Sequence, residues 1–215
     1  LSIGIGLELF ALEDLIESHK NSDLYQINKN ELHFLNTPSD LCCHLIGKKY
    51  QLKHSPLIHI SACAAGSDAI GSAFLQIKRG KADFVICGGT DSMINPMGIA
   101  GFSRIGAMTL KNNTPQEASM PFNKNRDGFV IGEGSAFLVL ESLKKAKARG
   151  AKILGLISGQ GNSLDAYSIS DPHPEGVGAA LAMNRAIKSA GLKPDDISAI
   201  SAHGTGTPKN LSLIH

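Results

Sequence analysis

The stretch ISACAAGSDAIG, from Ile60, places Cys63 between a short apolar run and a set of small residues. The apolar run reads as a strand and the residues after it as a helix. Cys63 then stands at a sharp strand-to-helix turn, in the position of a nucleophile elbow. Unpaired N–H groups and the positive end of the helix dipole favour a thiolate there. The same N–H groups can donate to an oxyanion formed at a thioester carbonyl. Ala62, Ala64, Ala65 and Gly66 leave room for a long acyl substrate to approach the sulfur. The competing reading is a buried structural cysteine, which is how Cys42, Cys43 and Cys87 are read.

A second stretch, ISAHGTGTP from Ile200, has His203 where the cysteine stood. The shared pattern ISAxxxG suggests two similar halves, although four matches in seven small residues also arise by chance. A histidine at a strand end, beside glycine and threonine, can stabilise a developing enolate or oxyanion, or move a proton. The alternative is a turn histidine satisfied by backbone groups. The remaining histidines (19, 33, 44, 54, 59, 173 and 215) read as surface or packing residues.

The elements that must position these residues follow from periodicity. Residues 7–18 alternate apolar and acidic positions at near-helical spacing, and 21–36 read as irregular. Ser39 is placed to cap a second helix through about Ile46, closed by Gly47. Buried-strand patterns occupy Leu57–Ala62, Phe84–Gly88, Ser135–Leu140, Ile153–Ser158 and Ile197–Ala202. A helix through about Lys78 repeats Ala65, Ala69, Ala73 and Ile77 at i, i+4 steps. Another, Gly178–Ala190, aligns Ala180, Met183, Ile187 and Ala190 and stops at Gly191 and Pro194. Short strands alternating with helices predict a layered α/β fold around a buried sheet. The basic stretch SLKKAKARGAK, from Ser142, is the best boundary, giving halves 1–150 and 151–215.

Composition narrows the function class. The 215 residues are 42% hydrophobic and 19% charged, as in a globular protein with a sizeable core. A net charge of +2 gives no argument for nucleic acid. No apolar run reaches the ~18 residues of a membrane span, and the opening LSIGIGLELFALEDLIE lacks a basic leader region. Four cysteines without metal-ligand spacing, in a chain of this size, suit a reducing, cytoplasmic setting. A start at Leu1 and an end at LSLIH suggest a piece of something longer. CGGTDS, from Cys87, lacks both the lysine of a phosphate loop and the GxGxxG spacing. RDGFVIGEGSAF, from Arg126, reads as a turn feeding a strand, with structural rather than catalytic roles for Asp127 and Glu133.

Taken in order, ACAAGSDAIGSAF, GGTDSMINPMGIAGFSR, PFNKNRDGFVIGEGSAFLVLESLKKAKARGAKI, DAYSISDPHPEGVGAALAM and AHGTGTP resemble the β-ketoacyl-acyl-carrier-protein synthases, the elongating type II enzymes among them. The resemblance runs from about Leu41 to about Asn210. It implies a thiolase-like layered αβαβα fold, usually as a homodimer. It also implies that Cys63 takes an acyl chain from acyl carrier protein, and that malonyl-acyl carrier protein loses carbon dioxide and condenses with that chain. By the same resemblance His203 is the first of two active-site histidines, Thr205 and Thr207 contact the phosphopantetheine arm, and Phe102 lines the acyl pocket. No metal or nucleotide cofactor is implied, and neither a nucleic acid nor a membrane partner.

The family's later lysine, second histidine and glycine-rich FGFGG-type segment have no counterpart here, and the strands preceding residue 1 are missing, so the comparison implies about half of a synthase. A layered sheet cut in this way would leave strand edges and apolar faces uncovered, making the isolated chain aggregation-prone or partner-dependent. A catalytically incomplete fragment, a non-catalytic partner subunit and a coenzyme A thiolase are the alternatives. For docking of an acidic carrier, Arg104 and Lys111 are the basic candidates.

Overall fold

The structure, a computed structural model, describes residues 1–6, 40–168 and 171–208. The expected helix over 7–18, the irregular stretch 21–36, the Ser39 cap and the closing residues from 209 lie outside the described residues. The chain divides into two compact units, Leu1–Ala100 with Glu133–Ser142, and Gly101–Gly132 with Leu143–His215.

The first unit is a mixed sheet covered by a helix. Its strands are β1 (Ser2–Ile5), β2 (Leu57–His59), β3 (Phe84–Ser92) and β4 (Glu133–Glu141), in the order β2-β1-β3-β4. β1 pairs in parallel with β2 and β3, and β4 runs antiparallel to β3. Before the sheet's second strand comes helix α1 (Leu41–Lys49). It continues past Gly47, the expected stop, because Lys48 and Lys49 suit the negative end of the helix and the Tyr50 N–H still reaches the Ile46 carbonyl at 3.0 Å.

Helix α2 (Ala65–Lys78) lies on this sheet through small side chains. Ala65, Ala69 and Ala73 are buried to 2% exposure or less, and Ala73 joins Val85 and Cys87 of β3 in the core, as the i, i+4 alanine pattern predicts. The approach is closest at Gly4 of β1, where a Cβ would overlap the backbone of Ala65 and Gly66. Only glycine lets helix and strand backbones meet there.

CGGTDS belongs to β3 rather than to a loop, paired residue by residue with β4 from Cys87–Leu138 to Ser92–Glu133. Its glycines sit where strands crowd: a Cβ on Gly88 would overlap Ala136. β4 is a strand as expected, but not a buried one. It forms the outer edge of the sheet among the described residues, with Phe137, Leu138 and Val139 exposed, Val139 to 64%.

Helix α3 (Pro96–Arg104) carries the chain from the first unit into the second. The sequence reading did not propose it. Its signal was the pair Asn95-Pro96: the Asn95 side chain accepts from the Gly98 N–H at 2.9 Å, and proline fits a first helical turn. The second unit also contains α4 (Leu143–Ala148) and α5 (Val177–Ala190). α5 ends at Gly191 with φ 71°, as Gly191 and Pro194 predict. Its packed face matches the expected one only at its carboxyl end, where Ala190 packs. Ala180 and Met183 are exposed, whereas Ala182, Ala186 and Ala190 lie against Gly159 and Gly161. Ser189 Oγ accepts from the Gln160 N–H, and Arg185 donates to the Asn162 carbonyl at 2.7 Å. Neither 153–158 nor 197–202 is in a strand, because no segment among the described residues offers either one a ladder partner.

The close approach at Gly4 sets a sharp contrast. Gly4→Ala should cost about 3 kcal/mol or more through backbone overlap. Gly47→Ala, inside α1 with nothing within 4 Å of a new Cβ, should stabilise by about 0.5–1 kcal/mol. Urea midpoints of the two variants check both signs; equal midpoints would refute the packing.

Candidate active site

In the first unit β2 ends at His59, and the chain turns through Ile60 and Ser61 into a 3-10 turn, Ala62–Ala64, that runs directly into α2. Ala62 has φ 48°, a left-handed conformation that is strained for a residue with a Cβ. Cys63 follows it and is exposed. A parallel strand, a strained turn and a helix start place the thiol at the carboxyl end of the sheet, as the elbow pattern requires. The helix start has no side-chain cap, since its N-cap residue is Ala64. Ser61 Oγ instead donates to Asp68 Oδ2 of the first α2 turn at 2.6 Å, across the elbow.

The other three thiols contrast with Cys63 in burial. Cys43 and Cys87 are buried, and desolvation pushes both thiols up to about 11. Cys42 is half-buried on α1. Among the histidines read as packing residues, His59 Nε2 meets the buried Ser2 hydroxyl at 2.9 Å, and His173 Nδ1 accepts from the Glu175 N–H while its ring packs edge-on against Tyr167.

The second unit holds Phe102, His203, Thr205 and Thr207. His203 is exposed at the mouth of a tight turn, with Gly204 at φ 59° and Gly206 at φ 80°. Gly206 is buried, and a Cβ there would sit 2.9 Å from the Gly128 carbonyl oxygen. The hydroxyls of Thr205 and Thr207 are 3.0 Å apart, and the Thr207 N–H points to Thr205 Oγ1 at 3.4 Å. Phe102, half-buried at the end of α3, packs edge-on against Phe129 with ring centroids 5.2 Å apart. Cys63 belongs to the first unit and these four to the second.

The RDGF stretch explains what holds the threonine turn. Arg126 donates from Nε to the Thr207 carbonyl at 3.2 Å, from Nη2 to the Pro208 carbonyl at 2.9 Å and from Nη1 to the Asn123 carbonyl at 3.0 Å. A guanidinium can bridge diverging carbonyls in this way because its donors form a rigid planar fork. Next to it, Thr109 donates to Asp127 Oδ1 at 2.7 Å. That bond first, and Lys111 at 4.0 Å, hold the Asp127 carboxyl below its ordinary value. The Lys111 ammonium also donates to the Asn125 carbonyl at 3.0 Å, so its charge is engaged within the loop, while Arg104 is exposed. Glu133 accepts from Ser92 Oγ at 2.8 Å. Asp127 and Glu133 thus each serve a local structural bond. Sequence reasoning assigned no role to Ser61, Asp68, Arg126 or Phe129, although ISACAAGSDAIG and RDGFVIGEGSAF contain them.

Two outcomes follow. Arg126→Gln should lose about 1–3 kcal/mol and speed amide exchange at Thr205 and Thr207, with Arg126→Lys intermediate; unchanged exchange would refute the clamp. A carboxyl depressed in the folded state stabilises above its unfolded pKa and loses that contribution as pH falls through the folded one. Asp127→Asn should therefore lower stability at pH 7 and flatten its acid dependence below about pH 4, measured by urea unfolding across pH.

Family models give the geometry its context. Residues 2–146 match the beta-ketoacyl synthase N-terminal domain and residues 154–210 the C-terminal domain. A 3-oxoacyl-[acyl-carrier-protein] synthase 2 from Synechocystis is 52% identical over 151 residues, covering 70% of this chain and 36% of the relative. The mitochondrial 3-oxoacyl-[acyl-carrier-protein] synthase of Arabidopsis thaliana is 47% identical over 164 residues, covering 76% and 36%. Among solved structures, a type II polyketide ketosynthase in complex with its acyl-carrier protein superposes with TM-score 0.85 at 30% identity, over 99% of this chain and 54% of that one. A beta-ketoacyl synthase from Burkholderia phymatum gives 0.82 at 30% identity, over 97% and 51%. The chain therefore spans about a third of the length of these curated relatives and about half of the solved chains. A cysteine elbow followed by a glycine-threonine turn is what both matched domains bring together in sequence, and the chain belongs to the beta-ketoacyl synthase family, with its thiolase-like α/β fold.

Proposed function

We propose that this chain carries the acyl-transfer chemistry of a fatty-acid-elongating β-ketoacyl-acyl-carrier-protein synthase, with Cys63 as the nucleophile. The observation that carries the reading is the exposed Cys63 at a strained strand-to-helix elbow, in a chain whose relatives are named as 3-oxoacyl-[acyl-carrier-protein] synthases. The Cys63 sulfur attacks the thioester carbonyl of an acyl group on acyl carrier protein. A new C–S bond forms, and the carrier's phosphopantetheine thiol leaves with a proton. The N–H groups at the start of α2 suit the oxyanion of that step.

In the second step malonyl-acyl carrier protein loses carbon dioxide, and the C–C electron pair becomes an enolate. His203 donates to the thioester oxygen that gains this charge. The enolate carbon then attacks the acyl carbonyl, and the Cys63 thiolate is expelled. Thr205 and Thr207, a hydroxyl pair 3.0 Å apart, contact the phosphopantetheine arm. Phe102 lines the acyl chain. The reading includes a division into halves near residue 150, a homodimer and a cytoplasmic location. No helix among the described residues is long and apolar enough to cross a membrane. The thiol at position 63 favours this reading over a non-catalytic partner subunit, which has no use for it.

Intact mass after incubation with acyl-acyl carrier protein tests the first step. An acyl adduct is expected on the native chain and none on Cys63→Ala. His203→Ala should keep the adduct while condensation with malonyl-acyl carrier protein falls about 10²–10³-fold. Folded native chain without an adduct would overturn the reading in favour of a partner subunit.

A further inference from the structure

We propose that Ser61 and Asp68 form a clasp that orients the Cys63 thiol, as positioning residues outside the acyl-transfer machinery itself. The inference deepens the proposed function and rests on it for the role of Cys63.

The side chains beside the thiol are small. Ala62, Ala64 and Ala65 flank Cys63 and offer no side-chain hydrogen bond, and the N-cap of α2 is an alanine. Ala62 is held at φ 48°, where a residue with a Cβ persists only if its surroundings over-determine the conformation. Two bonds span the turn. The Ala64 N–H donates to the Ser61 carbonyl at 3.1 Å, and the Ser61 hydroxyl donates to Asp68 Oδ2 at 2.6 Å. The second is in the range of a charge-assisted bond. It joins the residue just before the strained turn to the first turn of the helix just after it, with Cys63 between. One end of the helix side is itself fixed, because Ala65 and Ala69 are buried against the sheet. The clasp therefore references the thiol to a helix packed on the sheet.

The clasp also spares the helix dipole. A carboxylate in the first turn of α2 draws on the same N–H groups that serve a thiolate or an oxyanion. Engaging Asp68 with the Ser61 hydroxyl gives that carboxylate a partner on the strand side of the elbow.

The test is the rate of Cys63 alkylation by iodoacetamide on the full chain, located by peptide mapping, which requires no carrier protein. Ser61→Ala keeps the charge of Asp68 and removes only the bond. It should slow Cys63 alkylation about tenfold through misplacement of the sulfur, while the thermal midpoint holds. Ser61→Thr, which keeps the hydroxyl, should restore the rate. In a cycle of Ser61→Ala, Asp68→Ala and the double variant, the effects should not add. Native alkylation in Ser61→Ala, failure of threonine to restore it, or additive effects would each overturn the clasp. Thioester formation from acyl-acyl carrier protein is read on the same variants. A native chain that alkylates at Cys63 yet takes no acyl group overturns the acyl-transfer reading, and the clasp is then decided by the alkylation rates alone.

Discussion

The contact on which the first unit depends is backbone against backbone. The first turn of α2 rests on β1 at Gly4, so closely that a single methyl group would overlap Ala65 and Gly66. Everything about the elbow follows from that distance. Alanine at 65, 69 and 73 keeps the helix near the sheet along its length. The parallel pairing of β1 with β2 and β3 directs all three strand ends the same way, so that the turn from β2 into α2 emerges at the carboxyl edge. Larger residues at these positions would lift the helix and carry the turn before it, with Cys63, away from the sheet.

The second unit solves a similar problem with polar grips. Its turn from His203 to Pro208 contains two glycines in left-handed conformations and has no strand ladder of its own. Arg126 supplies what a ladder would have supplied, three N–H donors aimed at backbone carbonyls. A guanidinium is the one side chain that serves several carbonyls in a fixed plane. The threonine hydroxyls are then spaced by a rigid turn rather than by their own rotamers.

Much of this was legible in the residues, for reasons that differ by element. The alanine repeat of α2 announces itself because burial against a sheet imposes a 3.6-residue period on small side chains. β3 was read four residues short, ending at Gly88, since glycines at 88 and 89 weaken a strand pattern until the crowding of β4 is known. The segments 153–158 and 197–202 have apolar strand character, yet strand character is a preference, and a strand exists only with a partner. On α5 the choice between two apolar faces depended on what packed there, and the glycines at 159 and 161 selected the alanine face. Ser61 and Asp68 were invisible because their seven-residue separation crosses a turn, where no periodicity brings side chains together.

The four thiols of the chain are differentiated by solvation more than by sequence neighbourhood. Cys43 and Cys87 are apolar packing groups in effect: burial raises both to about 11, so that neither carries appreciable thiolate near neutral pH. Cys63 is exposed, at the turn where β2 gives way to α2. Solvent access and strain at the neighbouring Ala62 coincide at Cys63, and the fold keeps two of the others out of reach by packing them into the first unit.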